Sequence, residues 1–285
     1  MIPVHPAAYK EFWPEVRNGY YFRSRRQFLD FMRLNQGRIF VIPEPHLPYR
    51  PFVMVGNWRS RSDITALWHL HARVSEERET LVMGASGICL EEGKKKVVTR
   101  PLDPFEAQEF GAWGFTTAFR IVMLEKRMGQ SPPLPAEPEG VRVYRFRKGD
   151  LARVLALDAE VFDDFWKMDL LTLKAVASSC MRNVFLLAKR GEETLGYAIG
   201  GVNEWVGYLQ RLGVRPDCRQ RGIGETLASH LLRQLYALGA LTVSVNTQEE
   251  NLPARNLYRK LGFQEMPDSR VIMERTREHG QRSGR

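Results

Sequence analysis

The chain has 285 residues, 44% of them hydrophobic and 26% charged, the balance of a soluble globular protein long enough for two domains with real cores. Forty-two Lys and Arg against 33 Asp and Glu give a formal charge of +9. No apolar run is long enough to span a bilayer, residues 1–18 have no apolar h-region of a secretory signal, and the basic excess lacks the aromatic-interleaved stripe of a nucleic-acid module. These readings set membranes and nucleic acids aside as partners and place the protein in the cytoplasm. Cys89, Cys180 and Cys218 are scattered, with no CxxC pair, and read as free thiols in a reducing compartment, with an intermolecular bridge as the alternative. His69 and His71 share one face of a strand but have no acidic or Cys partner nearby, so a structural role outweighs a metal site.

In chain order, residues 38–43, 51–57 and 64–72 read as strands, 76–91 as a helix, 96–99 as a strand, 105–113 as a short helix and 118–125 as a strand. The segment Ser131–Gly140 carries four prolines in ten residues and reads as a stiff, solvated linker between two halves. Beyond it, 141–147 alternates as a half-buried strand, and Asp150 is placed to cap a helix ending near Val161. A second helix is expected over 170–178. Strands follow over 183–189, 194–202 and 206–214. Ile223, Leu227, Leu231 and Leu235 recur every four residues, the stripe of a helix packed on a sheet and stopped by Gly239. A strand at 241–245, a helix at 254–261 and a strand at 269–275 close the pattern, a mixed α/β sheet. The expected domains are 1–130, 141–276 and a basic flexible tail, 277–285. Glu106–Lys126 and Ala254–Arg275 both run helix, Gly-Phe, strand with Ile-Val-Met or Val-Ile-Met inside the strand, which reads as an internal duplication, with chance similarity of a short unit as the alternative.

The sharpest motif is Arg219-Gln220-Arg221-Gly222-Ile223-Gly224, between a strand and a helix. Glycines let the main chain approach a ligand closely, and the first N–H groups of the helix form an anion site. Arg219 and Arg221 add donors suited to phosphate oxygens. The motif is neither a Walker loop nor a dinucleotide fingerprint, since GxxxxGK[ST] is absent and Leu227 stands where a third Gly would be. An ordinary Gly-containing turn is the bland alternative.

With Asn251, Ala254, Tyr258, Gly262 and Phe263 following downstream, the segment from Val141 to about Arg275 resembles the GNAT superfamily of acetyl-CoA-dependent N-acetyltransferases. The resemblance implies an α/β fold of two GNAT-like domains, each a mixed twisted sheet flanked by helices, with acetyl-CoA as cosubstrate and no metal. It implies that amides from Arg219 through Gly224 and Glu225 hold the pyrophosphate. Pantetheine would lie along Leu212, Gly213 and Val214, in a slot where that strand splays from 242–245. The amide near Leu212 would face the thioester oxygen, Asn251 would bond to the pantetheine or phosphate arm, Ala254 would line the site and Tyr258 would sit near the sulfur. A tyrosine pKa near 10 against a thiol near 8.5 makes protonation of the leaving sulfur only modestly uphill. The strand carboxylate common among such proteins is missing from 206–214. Water held by Tyr208 or Glu204, or an amine that arrives neutral, would take its place.

In this resemblance the acceptor loop is 161–169. There Phe162, Phe165 and Trp166 could form a wall and Asp163 and Asp164 could attract an ammonium, or the aromatics pack and the aspartates cap; Trp205 is another wall candidate. The N-terminal counterpart of the phosphate loop, Val74–Glu79, has no glycine and three acids, so that half reads as a degenerate GNAT repeat that repels the cofactor. It would complete the acceptor pocket or mimic a second subunit. The implied activity is acetyl transfer to a primary amine of a small molecule or peptide by a monomer or homodimer. The alternative is a non-catalytic acyl-CoA-binding or sensor protein.

Overall fold

The computed structural model describes residues 1–17, 22, 24–43, 50–59 and 61–277. In chain order the elements are β1 (Ile2–Pro3), α1 (Trp13–Val16), α2 (Arg25–Leu34), β2 (Arg38–Val41), β3 (Phe52–Trp58), β4 (Arg61–His71), α3 (Ser75–Glu91), β5 (Lys96–Thr99), α4 (Pro104–Ala112) and β6 (Thr116–Arg127). They continue with β7 (Val141–Arg145), α5 (Leu151–Val161), α6 (Leu170–Ala177), β8 (Arg182–Arg190), β9 (Glu193–Asn203), β10 (Val206–Val214), α7 (Ile223–Ala237), β11 (Thr242–Gln248), α8 (Leu252–Lys260), β12 (Gln264–Glu265) and β13 (Arg270–Thr276). No helix among the described residues is long and apolar enough to cross a membrane.

Two compact units form. Unit 1 holds residues 1–120 and 270–285, and unit 2 holds residues 121–269. Strand order in unit 1 is β1-β2-β3-β4-β5-β13, and in unit 2 it is β6-β11-β10-β9-β8-β7. These units depart from the boundaries expected from sequence, because each sheet takes its closing strand from the other half of the chain. The Ile121–Arg127 part of β6 pairs antiparallel with β11, and β13 pairs antiparallel with β5. Leu124 and Met128 accordingly pack in the core of unit 2, and Val271 and Met273 in that of unit 1. Strand pairing is non-local, so hydrophobic periodicity located β6 and β13 without saying which sheet each joins.

The two Gly-Phe segments have matching geometry. Gly114 has φ +83° and Gly262 φ +84°. The N–H of Phe115 donates to the carbonyl of Phe110, and that of Phe263 to the carbonyl of Tyr258, each at 3.0 Å. This is the 6→1 bond of a Schellman helix end. Phe110 is therefore the unit 1 counterpart of Tyr258. A second likeness lies in the sheets. The parallel pair β4/β5 ends at Leu67↔Thr99, and the next residue, Trp68, is an extra residue in the β3/β4 ladder. The parallel pair β10/β11 ends at Leu209↔Val245, and the next residue, Gln210, is the extra residue in β9/β10.

Three local expectations change. Asp150 does not cap α5; its carboxylate accepts the Arg147 N–H at 2.9 Å and Lys189 Nζ at 2.7 Å. The proline segment is not a free spacer, since Glu137 bridges Arg142 at 2.7 Å and His230 at 3.5 Å. Arg277, counted with the tail, donates to the carbonyls of Leu90 and Glu91; residues 278–285 lie outside the described residues.

His69 and His71 stack against Phe52, with ring centroids 5.5 and 5.3 Å from it. Burial, with the positive charge of Arg100 and the neighbouring His71 adding to it, pushes the His69 pKa down to about 4. The folded form therefore binds this proton less readily than the unfolded chain, whose histidine titrates near 6.5. Stability is full above about pH 6.5 and is lost as pH falls towards 4, by at most about 3 kcal/mol. Denaturant titrations between pH 7.5 and 4 will show this loss, and His69→Phe will flatten it.

Candidate active site

The site is built on the parting of β10 from β11. Both strands run on past their last shared pair, Leu209↔Val245, to Val214 and Gln248. β10 keeps its ladder to β9, through Leu212↔Ala198 and Val214↔Gly196. The bulge at Gln210 re-aims the side chains that follow. Leu209 packs in the core beneath α7, while Gln210 and Arg211 both turn to the face covered by α5 and α6; Leu212 and Val214 return to the first face. The N–H of Arg215 donates to Leu195 at 2.9 Å. By strand alternation the N–H groups of Leu212 and Val214 point the opposite way, into the open side. Gly213 is glycine for room: a Cβ there would stand 2.8 Å from Tyr197 Cε1.

At the end of β10 the chain turns through Pro216–Cys218 into α7. Thr226 is the first helix residue whose N–H is bonded, to Gly222 at 2.9 Å. The six preceding amides, Gln220 through Glu225, have no hydrogen-bond partner among the described residues. Gln220 and Gly222 have φ of +59° and +79°, so successive N–H groups are gathered rather than alternated, an anion-binding nest at a helix start. Arg221 is exposed beside it. Arg219 does a different job from the one expected: its Nε donates to the Val214 carbonyl at 3.3 Å and Nη2 to the Val161 carbonyl at 3.2 Å. It braces the loop.

The helix α8 closes the floor. Leu212, Val214, Ala254, Leu257 and Tyr258 belong to one apolar cluster with Ile223 and Leu227, so the structure brings most of the expected residues together. Tyr258 is 5% exposed, and its hydroxyl has no hydrogen-bond partner among the described residues. Burial raises its pKa above the ordinary tyrosine value, opposed by the nearby charge of Arg211. Asn251 serves α8 itself. Its Oδ1 accepts the Ala254 N–H at 3.3 Å and its Nδ2 donates to Thr247 Oγ1 at 3.1 Å, so both it and the Ala254 amide are committed to the chain.

Tyr208 lies at the apex of the slot, paired with Ser244 and Gly201. Glu204 is not part of the site: it sits in the β9–β10 turn with φ +50°, eight residues of strand from Leu212, roughly 25 Å. Trp205 shares that turn and is 63% exposed. In the 162–169 loop, Asp163 accepts the N–H groups of Phe165 and Trp166 at 2.9 and 3.0 Å, and Asp164 pairs with Lys167 at 2.6 Å. The aspartates thus build the loop, and Phe165 is buried.

A polar cluster under the bulge went unread in the sequence. Asp158, on α5, is fully buried. Its Oδ1 accepts the Met168 N–H at 2.5 Å, and its Oδ2 accepts the Tyr197 hydroxyl and Arg211 Nε and Nη2 at 3.0 and 2.7 Å. Arg211 Nη2 also donates to the Trp166 carbonyl at 2.9 Å, and the guanidinium lies 3.4 Å over the Phe162 ring. The available signal was a lone Arg inside an otherwise uncharged strand.

In unit 1 the corresponding helix start carries acidic side chains. Glu77 Oε2 accepts the Arg73 N–H at 3.1 Å, and Arg78 is held by Glu109 at 2.8 Å.

Residues 151–263 match the model of the acetyltransferase (GNAT) family. This part of the chain is similar to that family. It is 34% identical over 139 residues to a mycothiol acetyltransferase of Streptomyces bingchenggensis, covering 46% of this chain and 45% of that protein. A second mycothiol acetyltransferase, of Saccharomonospora viridis, is 31% identical over 160 residues, 50% of this chain and 52% of that protein. The matches thus span about half the length of these curated relatives. Likeness in fold reaches beyond the matched residues. A tandem GNAT protein from the clavulanic acid biosynthesis pathway superposes with a TM-score of 0.71 at 12% identity, over 96% of this chain and 97% of that one. A GCN5-related N-acetyltransferase from Sphaerobacter thermophilus gives 0.58 at 17% identity, over 96% and 95%.

Gly222 separates the nest from an ordinary turn. A side chain in its left-handed conformation costs about 1–2 kcal/mol, whereas a Cβ at Gly224 would meet Leu257 and Val214 at ordinary distances of 3.5 and 3.6 Å. In calorimetry, Gly222→Ala weakens coenzyme A binding about 5- to 30-fold, and Gly224→Ala leaves it nearly unchanged.

Proposed function

We propose that the protein is an acetyl-CoA-dependent N-acetyltransferase that carries an acetyl group to a primary amine of a small molecule or peptide by direct attack. The observation that carries this reading is the run of six unpartnered amides at the start of α7, next to the point where β10 leaves β11. A diphosphate fits the first, because gathered N–H groups at a helix start stabilise negative charge. A narrow amide-bearing arm fits the second, because a strand edge with free N–H groups pairs with such an arm as another strand would.

Acetyl-CoA supplies an activated acyl group when bound. The amides of Gln220 through Glu225 hold its pyrophosphate, with Arg221 adding charge. The edge of Leu212 and Val214 aligns the pantetheine. The Leu212 N–H is fixed by the β9 ladder before any reaction, so it stabilises negative charge on the acyl oxygen without reorganising, an effect worth about 3–4 kcal/mol in comparable sites. Tyr258 holds a proton in an apolar floor and delivers it from Oη to the departing sulfur, and the proton shed by the attacking nitrogen returns the phenolate to phenol. The burial that raises the phenol also raises the proton affinity of a thiolate in the same surroundings, so the transfer is no steeper than in water. Tyr208, at the apex, borders the acceptor.

In this reading unit 1 is a GNAT-like half that does not hold the cofactor. Glu77 occupies the start of α3, and Phe110 stands where unit 2 has the phenol. The buried free thiols fit a cytoplasmic protein, acting as a monomer or homodimer. The name of the curated relatives places mycothiol-related amines on the acceptor panel.

Release of free thiol from acetyl-CoA in the presence of an amine panel tests the activity. Tyr258→Phe keeps coenzyme A affinity within about twofold and lowers kcat by roughly 10²-fold. Tight coenzyme A binding with no thiol released by any amine overturns the transferase reading.

A further inference from the structure

Unit 1 holds a polar cavity of its own. On β2, β3 and β4, Phe40, Val55 and Leu67 pack in the core beneath α3. By strand alternation Arg38, Asn57 and Thr65 share that face, and Arg38 reaches Cys89 on α3. α3 ends at Glu91, before it covers this corner of the sheet. Gly93, with φ +98°, turns the chain back, and the Lys94 N–H closes the helix end on the Cys89 carbonyl at 3.1 Å. What stays open is a cavity of about 280 Å³, at the small end of the range for ligand pockets. Arg38, Asn57 and Thr65 line it from the sheet, Gln36 from the turn before β2, and Glu92 and Lys94 from beyond α3.

Three consecutive lysines leave α3, and their partners differ. Lys95 pairs with Asp63 at 3.2 Å and Lys96 with Glu274 at 2.7 Å. The Lys94 ammonium instead donates to Asn57 Oδ1 at 3.1 Å and to the Ser62 carbonyl at 2.6 Å, two neutral oxygens. It forms no ion pair among the described residues, and its third N–H is left over. Arg38 is already matched: Nη1 donates to Glu92 at 2.7 Å and Nη2 to Cys89 Sγ at 3.1 Å. Asp63, on the same face as Thr65, is answered by Arg61 at 2.8 Å as well as by Lys95. The carbonyls in the last turn of α3 are taken by the Glu92, Gly93 and Lys94 amides and by Arg277, which offsets the negative end of the helix dipole. The lining therefore sums to one positive charge, that of Lys94.

The neutral groups add donors. An ammonium can only donate, so the Asn57 oxygen is the atom turned to Lys94. Asn57 Nδ2 then has no hydrogen-bond partner among the described residues, and it is not sealed. The Gln36 carboxamide at the rim has no partner there either. Asn57 and Thr65 are 9% and 2% exposed, a depth at which polar groups are ordinarily satisfied. One uncompensated cation selects a monoanion, since the surplus charge of a dianion would face Glu92. A carboxylate meets that condition better than a phosphate ester, which carries about −1.5 to −2 near neutral pH. The amide donors suit hydroxyl oxygens on the same small molecule.

We propose that this cavity binds a small hydroxylated monocarboxylate, independently of the slot in unit 2. Lys94 takes the carboxylate, and Asn57 Nδ2 with the Gln36 amide takes the hydroxyls.

Calorimetry and thermal unfolding of the full chain with glycerate and threonate test this, with glycerol and glycerol 3-phosphate as charge controls. At least one acid binds with a Kd of about 1 mM or tighter and raises Tm as its concentration rises. Glycerol does neither, and glycerol 3-phosphate binds more weakly than the acids. Lys94→Gln keeps a donor for the Ser62 carbonyl but loses the charge, and affinity falls about tenfold or more. Glu92→Gln removes the neighbouring negative charge and strengthens binding about two- to fivefold. Damage to the cavity would weaken binding in both variants, so the opposite signs separate ligand contact from bracing. Absence of binding by both acids overturns the proposal. Tighter binding of glycerol 3-phosphate, unchanged affinity in Lys94→Gln, or weakening in both variants does so too. None of these outcomes bears on the transferase reading, which stands or falls on thiol release.

Discussion

The whole of the unit 2 site depends on two parallel strands that stop pairing before either ends. β10 and β11 share hydrogen bonds from Val206↔Thr242 to Leu209↔Val245 and then separate. One extra residue, Gln210, accompanies the separation. An unpaired strand edge is normally a hazard, since its N–H and C=O groups invite another chain. Inside a sheet, flanked by β9 on one side and β6 on the other, the same unpaired edge is shielded from other chains, and the proposed cosubstrate arm would take the place of the missing partner. The amides of the α7 start stand at its open end because β10 leads straight into them.

The buried pair of Asp158 and Arg211 holds that arrangement in place. A buried ion pair contributes little net stability compared with apolar packing, yet losing one partner costs about 3–5 kcal/mol because a charge is stranded. Its value here is geometric. The guanidinium ties together α5 through Asp158, β9 through Tyr197 and the α5–α6 loop through the Trp166 carbonyl. Gln210 does the same for the end of α6, donating to Ser179 and Cys180. Both residues of the bulge thus fasten the helices of one face to the strand that opens the slot.

Local chemistry was legible in the sequence, and pairing was not. The limits 206–214 for β10 and the start of α7 at Ile223 followed from alternation, from glycines and from a four-residue apolar repeat, all of which are properties of the segment alone. The bulge left no such mark, since one added residue changes no composition, and Arg211 went unread with it. Asn251 and Arg219 are residue types that serve ligands and main chain equally well, and only the fold bonds them to Ala254, Thr247, Val214 and Val161. The exchange of β6 and β13 was hidden for the same reason as the slot: two strands of nearly the same sequence fit either sheet by pattern, and only long-range pairing decides between them.

That exchange bears on how the two units came to differ. Both keep the backbone devices, the early end of the parallel pair, the extra residue after it and the Gly-Phe helix end. Those devices are matters of packing and φ, which a sheet must satisfy whether or not it binds anything. The polar groups have diverged. Where unit 2 places a phenol, an arginine and bare amides, unit 1 places Phe110, His69 and an amide capped by Glu77. His69 is held uncharged by its burial, so the position that carries a fixed cation in unit 2 carries none in unit 1 above about pH 6. A fold retained with its charges removed is what packing constraints preserve when no ligand acts on the site. The proposal that unit 1 does not hold the cofactor therefore rests on three side chains rather than on its weaker resemblance in sequence.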